Sequence, residues 1–369
     1  MLAPSSEAEM AEAVAGAAGP LRVRGGGTRG PAGPGEALST AGLSGVTLYE
    51  PGALTLVARA GTPVAEVEEV LAREGQRLPF EPMDHRALTG ADGVPTIGGV
   101  AAANVSGPRR VQAGACRDSL IGVRAVDGTG AVLKNGGRVM KNVTGYDLVK
   151  LLAGSRGTLG VLTEVAIKVL PAPETAATLE IGGLSPDGAV AALSDALGSP
   201  YEVSGAAHLT EAGRTLLRLE GFEAQVCHRA ERLAARLARF GEVTIDRDSV
   251  EQTWRAVRDV APLAGRPGDV WRLSARPSDG PRAWAALGAP PAVMDWGGGL
   301  IWALLPEGTD ARGRLGGIAG HATLVRAAAE TRARLGTFQQ EPAPLARLAA
   351  ELRAKFDPRG ILNPGLMGA

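Results

Sequence analysis

Residues 95–110 read PTIGGVAAANVSGPRR, and this run of small residues is the most informative stretch of the chain. Glycine and alanine leave the backbone open to close approach by a flat ligand. Thr96, Asn104 and Ser106 add hydrogen-bonding groups to the same stretch. A small-residue helix packed inside the core would have a similar composition. The stretch therefore predicts either one wall of a ligand site or a tightly packed helix.

A glycine loop lies upstream, at Arg24-Gly25-Gly26-Gly27-Thr28-Arg29. Consecutive glycines can take positive φ and expose successive backbone N–H groups, which is a geometry that binds pyrophosphate. The loop matches neither the Walker A pattern nor the G-x-G-x-x-G dinucleotide fingerprint with its downstream acidic residue. It indicates a phosphate site of another class or, as the alternative, an ordinary glycine turn.

Three further motifs follow downstream of these two. They read GACRD at 114–118, KNVTGYDL at 141–148 and GSRGTLGVLTE at 154–164. The chain has 52 glycines in 369 residues, and much of that excess lies before Pro171 in loops of this kind. We interpret these glycines as positions where the backbone comes close to a ligand or to another segment, and not as a sign of disorder.

Composition excludes several classes of function. Lys+Arg 39 balances Asp+Glu 39, so no basic excess points to a nucleic-acid partner. Two cysteines are too few for an iron–sulfur cluster, which needs about four thiolates, and they favour a reducing compartment, hence a cytoplasmic location. The four histidines show no H-x-H or H-E-x-x-H spacing, so no metal site is expected.

The sequence also shows no pattern typical of a membrane-spanning helix or a secretory signal. The longest uncharged stretch, 93–108, is too short and too glycine-rich to span a bilayer. The first residues are acidic and lack the basic segment of a secretory signal. We therefore expect membrane contact to be only peripheral, at the inner face of the cell membrane, or made through partners.

A proline-punctuated junction at 170–173 divides the sequence into dissimilar halves. The first half mixes short strands and hairpins with few long helices. The second half begins with a β-α-β-β-α-β order, which is the ferredoxin-like pattern. We expect three regions: a first domain at 1–173, an α+β domain at 174–342, and a C-terminal helix and tail at 343–369.

The order and spacing of the motifs resemble the FAD-binding flavoproteins of vanillyl-alcohol oxidase and p-cresol methylhydroxylase (PCMH) type. Within that superfamily, LPFEP at 78–82, the stretches 96–130 and 136–171, and FDPRGILNPG at 356–365 are similar to the smaller FAD-binding subunits of bacterial glycolate oxidases. The resemblance is strong over 21–173, weak through the middle, and resumes at the tail. It implies an α+β fold: a two-subdomain PCMH-type FAD-binding domain, a smaller ferredoxin-like cap domain, and a tail returning to the flavin.

The resemblance also implies site residues for non-covalently bound FAD. The glycine loop would cradle the pyrophosphate, the small-residue stretch would line the adenosine diphosphate and flavin, Pro82 would lie near the isoalloxazine, and Asn363 would return from the tail. The implied cofactor-binding set is Arg24, Gly25, Gly26, Gly27, Thr28, Pro82, Thr96, Gly98, Gly99, Asn104, Gly107, Arg117, Asp118, Gly157, Gly160, Val161 and Asn363.

Catalytic residues are harder to assign. Relatives that oxidise 2-hydroxy acids carry a glutamate where this chain has Arg156, and many have a metal site that this sequence lacks. Oxidation of a hydroxy acid needs a base near the hydroxyl and cations near the carboxylate. His85, Lys141 and Tyr146 are the candidates; a surface histidine and a tyrosine anchoring a turn are the alternatives. Cys116 is the one cysteine near a flavin loop, and a covalent link there is not favoured.

The resemblance implies a subunit of a complex that oxidises glycolate to glyoxylate. This chain has no cluster of its own, so electrons would leave through partners, and the resemblance implies that these are a larger FAD-binding subunit and an iron–sulfur subunit. Two alternatives remain: a self-sufficient FAD-dependent dehydrogenase of 2-hydroxy acids or alcohols, and a non-catalytic flavin-containing structural subunit.

Overall fold

A computed structural model describes residues 1–29, 33–137 and 145–368 of the chain. We call residues 1–171 the N-terminal unit and residues 175–335 the cap unit. The N-terminal unit contains the elements α1 Glu7–Ala15, β1 Leu21–Arg24, β2 Glu36–Ser39, β3 Val46–Glu50, β4 Thr55–Arg59, α2 Val64–Ala72, β5 Gln76–Arg77, α3 Arg86–Thr89, α4 Ile97–Ala103, α5 Arg110–Ala113, α6 Cys116–Ser119, β6 Leu120–Val126, β7 Val132–Gly136, α7 Leu148–Leu152, β8 Val161–Lys168 and β9 Leu170–Pro171.

Two sheets form most of the N-terminal unit. A small parallel pair joins β1 and β2, and a five-stranded antiparallel sheet has the order β3-β4-β8-β6-β7. Strand β8 is central to the larger sheet, and its alternating residues Val165 and Ile167 are fully buried. Helix α4, the small-residue stretch, packs against β8. The glycine loop follows β1 directly, so the two most informative sequence motifs face the same region.

The cap unit and the C-terminal region follow. Their elements are β10 Thr175–Gly182, α8 Pro186–Leu197, β11 Gly205–Leu209, β12 Arg214–Gly221, α9 Glu223–Leu237, β13 Val243–Asp246, α10 Val250–Arg258, β14 Asp269–Ala275, α11 Gly280–Ala286, β15 Ala292–Asp295, β16 Leu300–Leu305, α12 Ala311–Leu315, β17 Gly320–Arg326, α13 Ala329–Leu335 and α14 Ala343–Phe356.

The cap is one antiparallel sheet of eight strands in the order β13-β10-β12-β11-β15-β16-β14-β17. Strands β10 to β13 have the 4-1-3-2 order of a ferredoxin-like unit, as the β-α-β-β-α-β pattern predicts. Strands β14 to β17 repeat the same connectivity, and the two units join edge to edge through β11 and β15, where His208 pairs with Met294. The cap therefore contains two ferredoxin-like units, of which sequence analysis identified one.

A glycine cluster at Gly297–Gly299 forms part of the second unit. It makes the tight turn between β15 and β16, where Gly298 has φ 101°. A Cβ atom on Gly298 would lie 2.6 Å from the side chain of Val190 in α8. This glycine is needed because the turn takes positive φ and approaches a helix closely.

One face of the cap sheet packs against its own helices, and the other packs against the N-terminal unit. Val270, Leu300 and Trp302 of the cap share a single buried cluster with Phe80 and Val100 of the N-terminal unit. Shared apolar burial of this kind makes the boundary between the units part of the core. The space left open at this boundary contains the candidate site.

The C-terminal tail returns to the start of the chain. Leu362 bridges to Leu21, and the Leu362 amide donates to the Asp357 carboxylate at 2.7 Å. Ile361 and Leu362 are buried beside helix α1. Helix α14 itself contains no buried residue, and Leu345 and Leu348 are exposed on it.

Candidate flavin and substrate site

Two adjoining cavities lie where the glycine loop, α4 and the cap sheet meet. The first, of about 190 Å³, is bounded by the glycine loop, α4 and the loop before β8. The second, of about 1100 Å³, lies between the N-terminal unit and the cap. Arg29, Ala103 and Arg156 line both cavities. The site is therefore one continuous cleft with a narrow part and a wide part.

The glycine loop is packed closely against the chain around residues 93–96. A Cβ atom on Gly26 would lie 1.6 Å from the carbonyl oxygen of Val94, and one on Gly25 would lie 2.4 Å from Thr96 Oγ1. Gly27 has φ 70°. Glycine is required at these positions because any side chain would push the loop away from the cavity wall.

The donors of the narrow cavity fit a diphosphate. The backbone N–H groups of Gly25, Gly26, Gly27 and Thr28 make no hydrogen bond to any residue that the structure describes. Among the described residues that line this cavity there is no carboxylate, and the cations are Arg22, Arg24, Arg29 and Arg156. The Nε atoms of Arg22 and Arg29 are buried and have no hydrogen-bond partner in the part of the chain that the structure describes. Unpaired N–H groups and cations in one wall form a site for a doubly charged anion.

The far wall of the narrow cavity comes from α4. Thr96 caps this helix, and its Oγ1 accepts a hydrogen bond from the Gly99 amide at 3.2 Å. A Cβ atom on Gly98 would lie 2.5 Å from Ala60, so the helix lies directly on the neighbouring loop. Both alternatives for this stretch therefore hold, because α4 is a tightly packed helix and also one wall of the cavity.

Asn363 connects the tail to the cavity. Its side chain accepts from the Val23 amide at 2.8 Å and donates to the Arg156 carbonyl at 2.8 Å. Gly157, with φ 75°, lies so close that a Cβ atom there would be 3.1 Å from the Asn363 amide. The tail thereby joins strand β1, which leads into the glycine loop, to the loop before β8.

The structure brings most of the cofactor-binding residues expected from sequence to this cleft. Those lining the narrow cavity are Arg24, Gly25, Gly26, Gly27, Thr28, Thr96, Gly98, Gly99, Gly157, Gly160 and Asn363. Those lining the wide cavity are Asn104 and Arg117, together with the catalytic candidate His85.

Four expected cofactor residues line neither cavity. Pro82 is buried, and Val161 belongs to the core beside α1. Gly107 lies against the backbone of Glu81 and accepts a hydrogen bond from Trp296 Nε1 at 3.1 Å. Asp118 accepts from the Ala115 amide at 2.8 Å, at the start of α6. Their positions support the loops around the cleft rather than its surface.

The remaining chemical candidates occupy different settings. Lys141 lies outside the described residues. Tyr146 is 89% exposed and lines neither cavity. Cys116 is fully buried, and burial raises the pKa of its thiol far above the ordinary value. A buried thiol with a raised pKa is a poor nucleophile, which agrees with non-covalent cofactor binding.

The wide cavity is strongly electropositive. Its described lining includes the cations Arg29, Arg110, Arg117, Lys150, Arg156, Arg272 and Arg353 against the single carboxylate of Glu341. Arg29, Arg156 and Arg272 make no ion pair with any described residue. Loss of solvent lowers the pKa of each of the three to about 10, so all remain charged near neutral pH. Desolvated cations without protein counter-ions indicate an anionic ligand.

His85 lies in the wide cavity as a neutral imidazole. Burial, together with the charge of Arg29, lowers the pKa of His85 to about 3. Its Nδ1 lies 3.3 Å from the Met83 carbonyl oxygen. Because a carbonyl can only accept, Nδ1 carries the proton and Nε2 is left as the basic nitrogen.

Sequence analysis missed the cap side of the cavity. Arg272 and Trp302 lie directly opposite each other on β14 and β16, and His321 lies on β17 beside them. These residues belong to no local motif, since each comes from a different strand. The one sequence signal that could have indicated this side of the cavity is Arg272, which lies on the same face of β14 as the buried Val270.

Within residues 1–29, 33–137 and 145–368, His, Cys, Asp and Glu side chains form no group of three or more that could hold a metal ion. Over the same ranges, every helix is too short or too polar to cross a membrane.

Comparison with known proteins agrees with the geometry. Residues 1–136 match the family model described as an FAD binding domain. The chain is 36% identical over 338 residues to glycolate oxidase subunit GlcE of Escherichia coli, covering 91% of this chain and 88% of that protein. It is 38% identical over 124 residues to glycolate oxidase subunit GlcD of Bacillus subtilis, covering 34% of this chain and 25% of that protein.

Among solved structures, alkyldihydroxyacetonephosphate synthase superposes with a TM-score of 0.67 at 16% identity. The match covers 98% of this chain and 76% of that one, and it shows a shared fold. Together with the cleft described above, these similarities show that the chain is an FAD-dependent flavoprotein of PCMH type and belongs to the family of the glycolate oxidase subunit GlcE.

Proposed function

We propose that this chain is the FAD-binding subunit of a complex that oxidises glycolate to glyoxylate and passes the electrons to an iron–sulfur partner. One observation carries the proposal. The narrow cavity, whose N–H groups and arginines can bind a diphosphate, opens directly into a wide cavity lined by unpaired cations and a neutral histidine. The first part suits a dinucleotide, and the second suits a small organic anion.

The residues divide the work of holding the cofactor. The amides of Gly25 to Thr28 would donate to the diphosphate, while Arg22 and Arg24 would neutralise its charge. Bound FAD supplies a hydride acceptor that can later release electrons one at a time. Arg29 and Arg156 lie where the narrow and wide cavities join, so they would hold negative charge between the two parts of the site.

The expected partners come from the resemblance to glycolate oxidase subunits. With Cys116 and Cys227 as its only cysteines, this chain cannot hold an iron–sulfur cluster of its own. Electrons would therefore leave through a partner; by the resemblance to glycolate oxidase subunits, that partner would be an iron–sulfur subunit, and a larger flavin subunit resembling GlcD would complete the complex. Contact with the inner face of the cell membrane would be made through these partners.

The test is anaerobic mixing of the FAD-loaded chain, alone and within its complex, with glycolate. We expect the flavin absorbance near 450 nm to bleach in the complex, with glyoxylate formed in proportion. Subsequent addition of an artificial electron acceptor should restore the absorbance. Purified chain that takes up no FAD, or a complex whose flavin does not respond to glycolate, would contradict the proposal.

A further inference from the structure

The cap contributes one half-buried cation, Arg272, that the narrow cavity does not use. Arg272 projects from β14 on the sheet face that meets the N-terminal unit, opposite Trp302 on β16. Its guanidinium carbon lies 5.3 Å from the ring centre of Trp296 and 5.8 Å from that of Trp302. No described carboxylate pairs with Arg272. Two aromatic rings therefore hold this cation in place while leaving its N–H donors available.

Neighbouring charges make the unpaired state of Arg272 costly. Burial lowers the pKa of Arg272 first, and repulsion from Arg110 and Arg156 lowers it further. Asp295 is the nearby acid, and it is itself buried and accepts a hydrogen bond from the Trp296 amide at 2.7 Å. A cation surrounded by other cations is stabilised when an anion binds among them.

His85 lines the same cavity as Arg272. The His85 ring meets Trp302 edge to face, with ring centres 6.4 Å apart. Its electrostatic environment consists of three cations, Arg29, Arg156 and Arg272. The imidazole comes from the loop before α3 of the N-terminal unit, and the guanidinium comes from the cap. The two units together thus place a neutral imidazole and a guanidinium without a carboxylate partner among the described residues on one cavity.

We propose that this chain has its own binding site for a small 2-hydroxy acid, with the carboxylate on Arg272 and the hydroxyl donating to His85 Nε2. The proposal rests on the proposed function, since it assigns the substrate site to this subunit rather than to the larger flavin subunit alone. Oxidation to the 2-oxo acid removes a hydride from the carbon and a proton from the hydroxyl oxygen. FAD supplies the hydride acceptor. Because burial and the charges of Arg29, Arg156 and Arg272 lower the pKa of His85, its Nε2 can receive the proton only while the bound carboxylate offsets those charges.

The test uses 2-hydroxy-2-methylpropanoate, which cannot be oxidised because its hydroxyl-bearing carbon has no hydrogen. The FAD-loaded chain is titrated with this acid while tryptophan fluorescence and the flavin spectrum are recorded. Trp296 and Trp302 flank Arg272, so we expect a saturable change in fluorescence. The parent acid without the hydroxyl, 2-methylpropanoate, should bind more weakly, and the neutral amide of the hydroxy acid should bind least.

Three variants assign the binding to residues. Arg272→Gln should weaken binding of both acids by roughly 10- to 100-fold, the range for loss of a hydrogen-bonded charge. His85→Phe should leave 2-methylpropanoate binding unchanged and remove the advantage of the hydroxyl. Arg276→Gln is the matched control because it removes an exposed cation four residues away, outside the cavity. The FAD content of each variant reports whether the fold is retained.

Separate outcomes test the site and the function. The inference is overturned if the chain does not bind the hydroxy acid, if Arg272→Gln binds it as Arg276→Gln does, or if sulfate binds equally well without regard to His85. If glycolate reduces the flavin of Arg272→Gln as fast as that of the unaltered chain, the proposed function stands and this site is wrong. If the probe binds through Arg272 but glycolate leaves the flavin oxidised, the site stands and the proposed function fails.

Discussion

Arg218 on cap strand β12 donates one hydrogen bond to each carboxylate oxygen of Glu81 in the N-terminal unit, both at 2.9 Å. Both side chains are buried, with exposed fractions of 3% and 9%. Burial alone would raise the pKa of Glu81, but the guanidinium of Arg218 holds it below the ordinary value. This pair joins the two halves of the molecule. The Arg218 guanidinium also stacks on Trp254, with its carbon 4.6 Å from the ring centre.

A second carboxylate extends the same contact. Glu220, two residues along β12, binds Arg109 at 2.9 Å and Arg77 at 2.6 Å, both from the N-terminal unit. The geometry of the cleft depends on the angle between the units, so these buried pairs set the position of the cap over the flavin site. Directional charge pairs fix such an angle more sharply than apolar contacts do.

We predict that Glu81→Gln destabilises the chain by about 3–5 kcal/mol, because it leaves Arg218 buried without its full counter-charge. Glu180→Gln is the matched control: Glu180 also binds an arginine of β12 through two hydrogen bonds, but its pair with Arg214 is partly exposed. That variant should lose no more than about 1 kcal/mol. Urea unfolding of both variants measures the difference, and equal losses would contradict the assignment.

Gly26→Ala should abolish FAD binding. Its Cβ would lie 1.6 Å from the Val94 carbonyl oxygen, so the loop must move and its donors with it. Gly52→Ala is the control, because nothing lies within 4 Å of a Cβ at that position. Flavin absorbance of the purified chains gives the answer. If the flavin-free Gly26→Ala chain still supports full activity of the complex, its role is structural rather than catalytic.

Arg156→Gln should make the FAD-free chain more stable and the FAD complex weaker. The unpaired cation costs stability when no anion is bound, whereas it strengthens binding once one is present. We expect FAD affinity to fall about 10-fold. The rise in melting temperature on adding FAD should shrink accordingly. An unchanged rise in Arg156→Gln would show that this arginine does not face the cofactor.

Asp295 predicts a pH dependence of stability. Burial, with a smaller contribution from Glu81, raises the pKa of Asp295 to about 7. The folded chain therefore binds a proton here that the unfolded chain releases near its ordinary pKa of about 4, and stability falls as pH rises between those values. Between pH 5 and pH 8 the free energy of unfolding of Asp295→Asn should therefore rise, relative to that of the unaltered chain, by roughly 2–3 kcal/mol.

Thermal unfolding of both proteins at the two pH values checks this prediction. The difference between the unfolding free energies of the two proteins does not contain the contributions of His85 and His208, because these residues titrate in both. An unchanged difference between the two proteins across this range would show that Asp295 is ionised throughout.

The local motifs around the flavin were readable from sequence for a physical reason. Neighbouring atoms leave room only for glycine at Gly25, Gly26 and Gly98, and this requirement is visible in the sequence as runs of adjacent glycines. The first ferredoxin-like unit was readable for a similar reason, because α9 is 15 residues long and strongly two-sided. The second was missed because α12 has five residues and β15 has four, which is too short for a clear period.

The amino-acid sequence by itself determined the cofactor class and the fold of the flavin domain, since loop chemistry is local and repeats across relatives. Tertiary structure alone decided which cations lack partners. Arg218 and Arg272 are both arginines on cap strands, yet one is neutralised by Glu81 and the other faces an open cavity between two tryptophans. That difference depends on residues more than 130 positions apart, such as Arg218 and Glu81, meeting where the cap packs on the N-terminal unit. Only packing brings such residues together, so only the folded chain shows where an anion can bind.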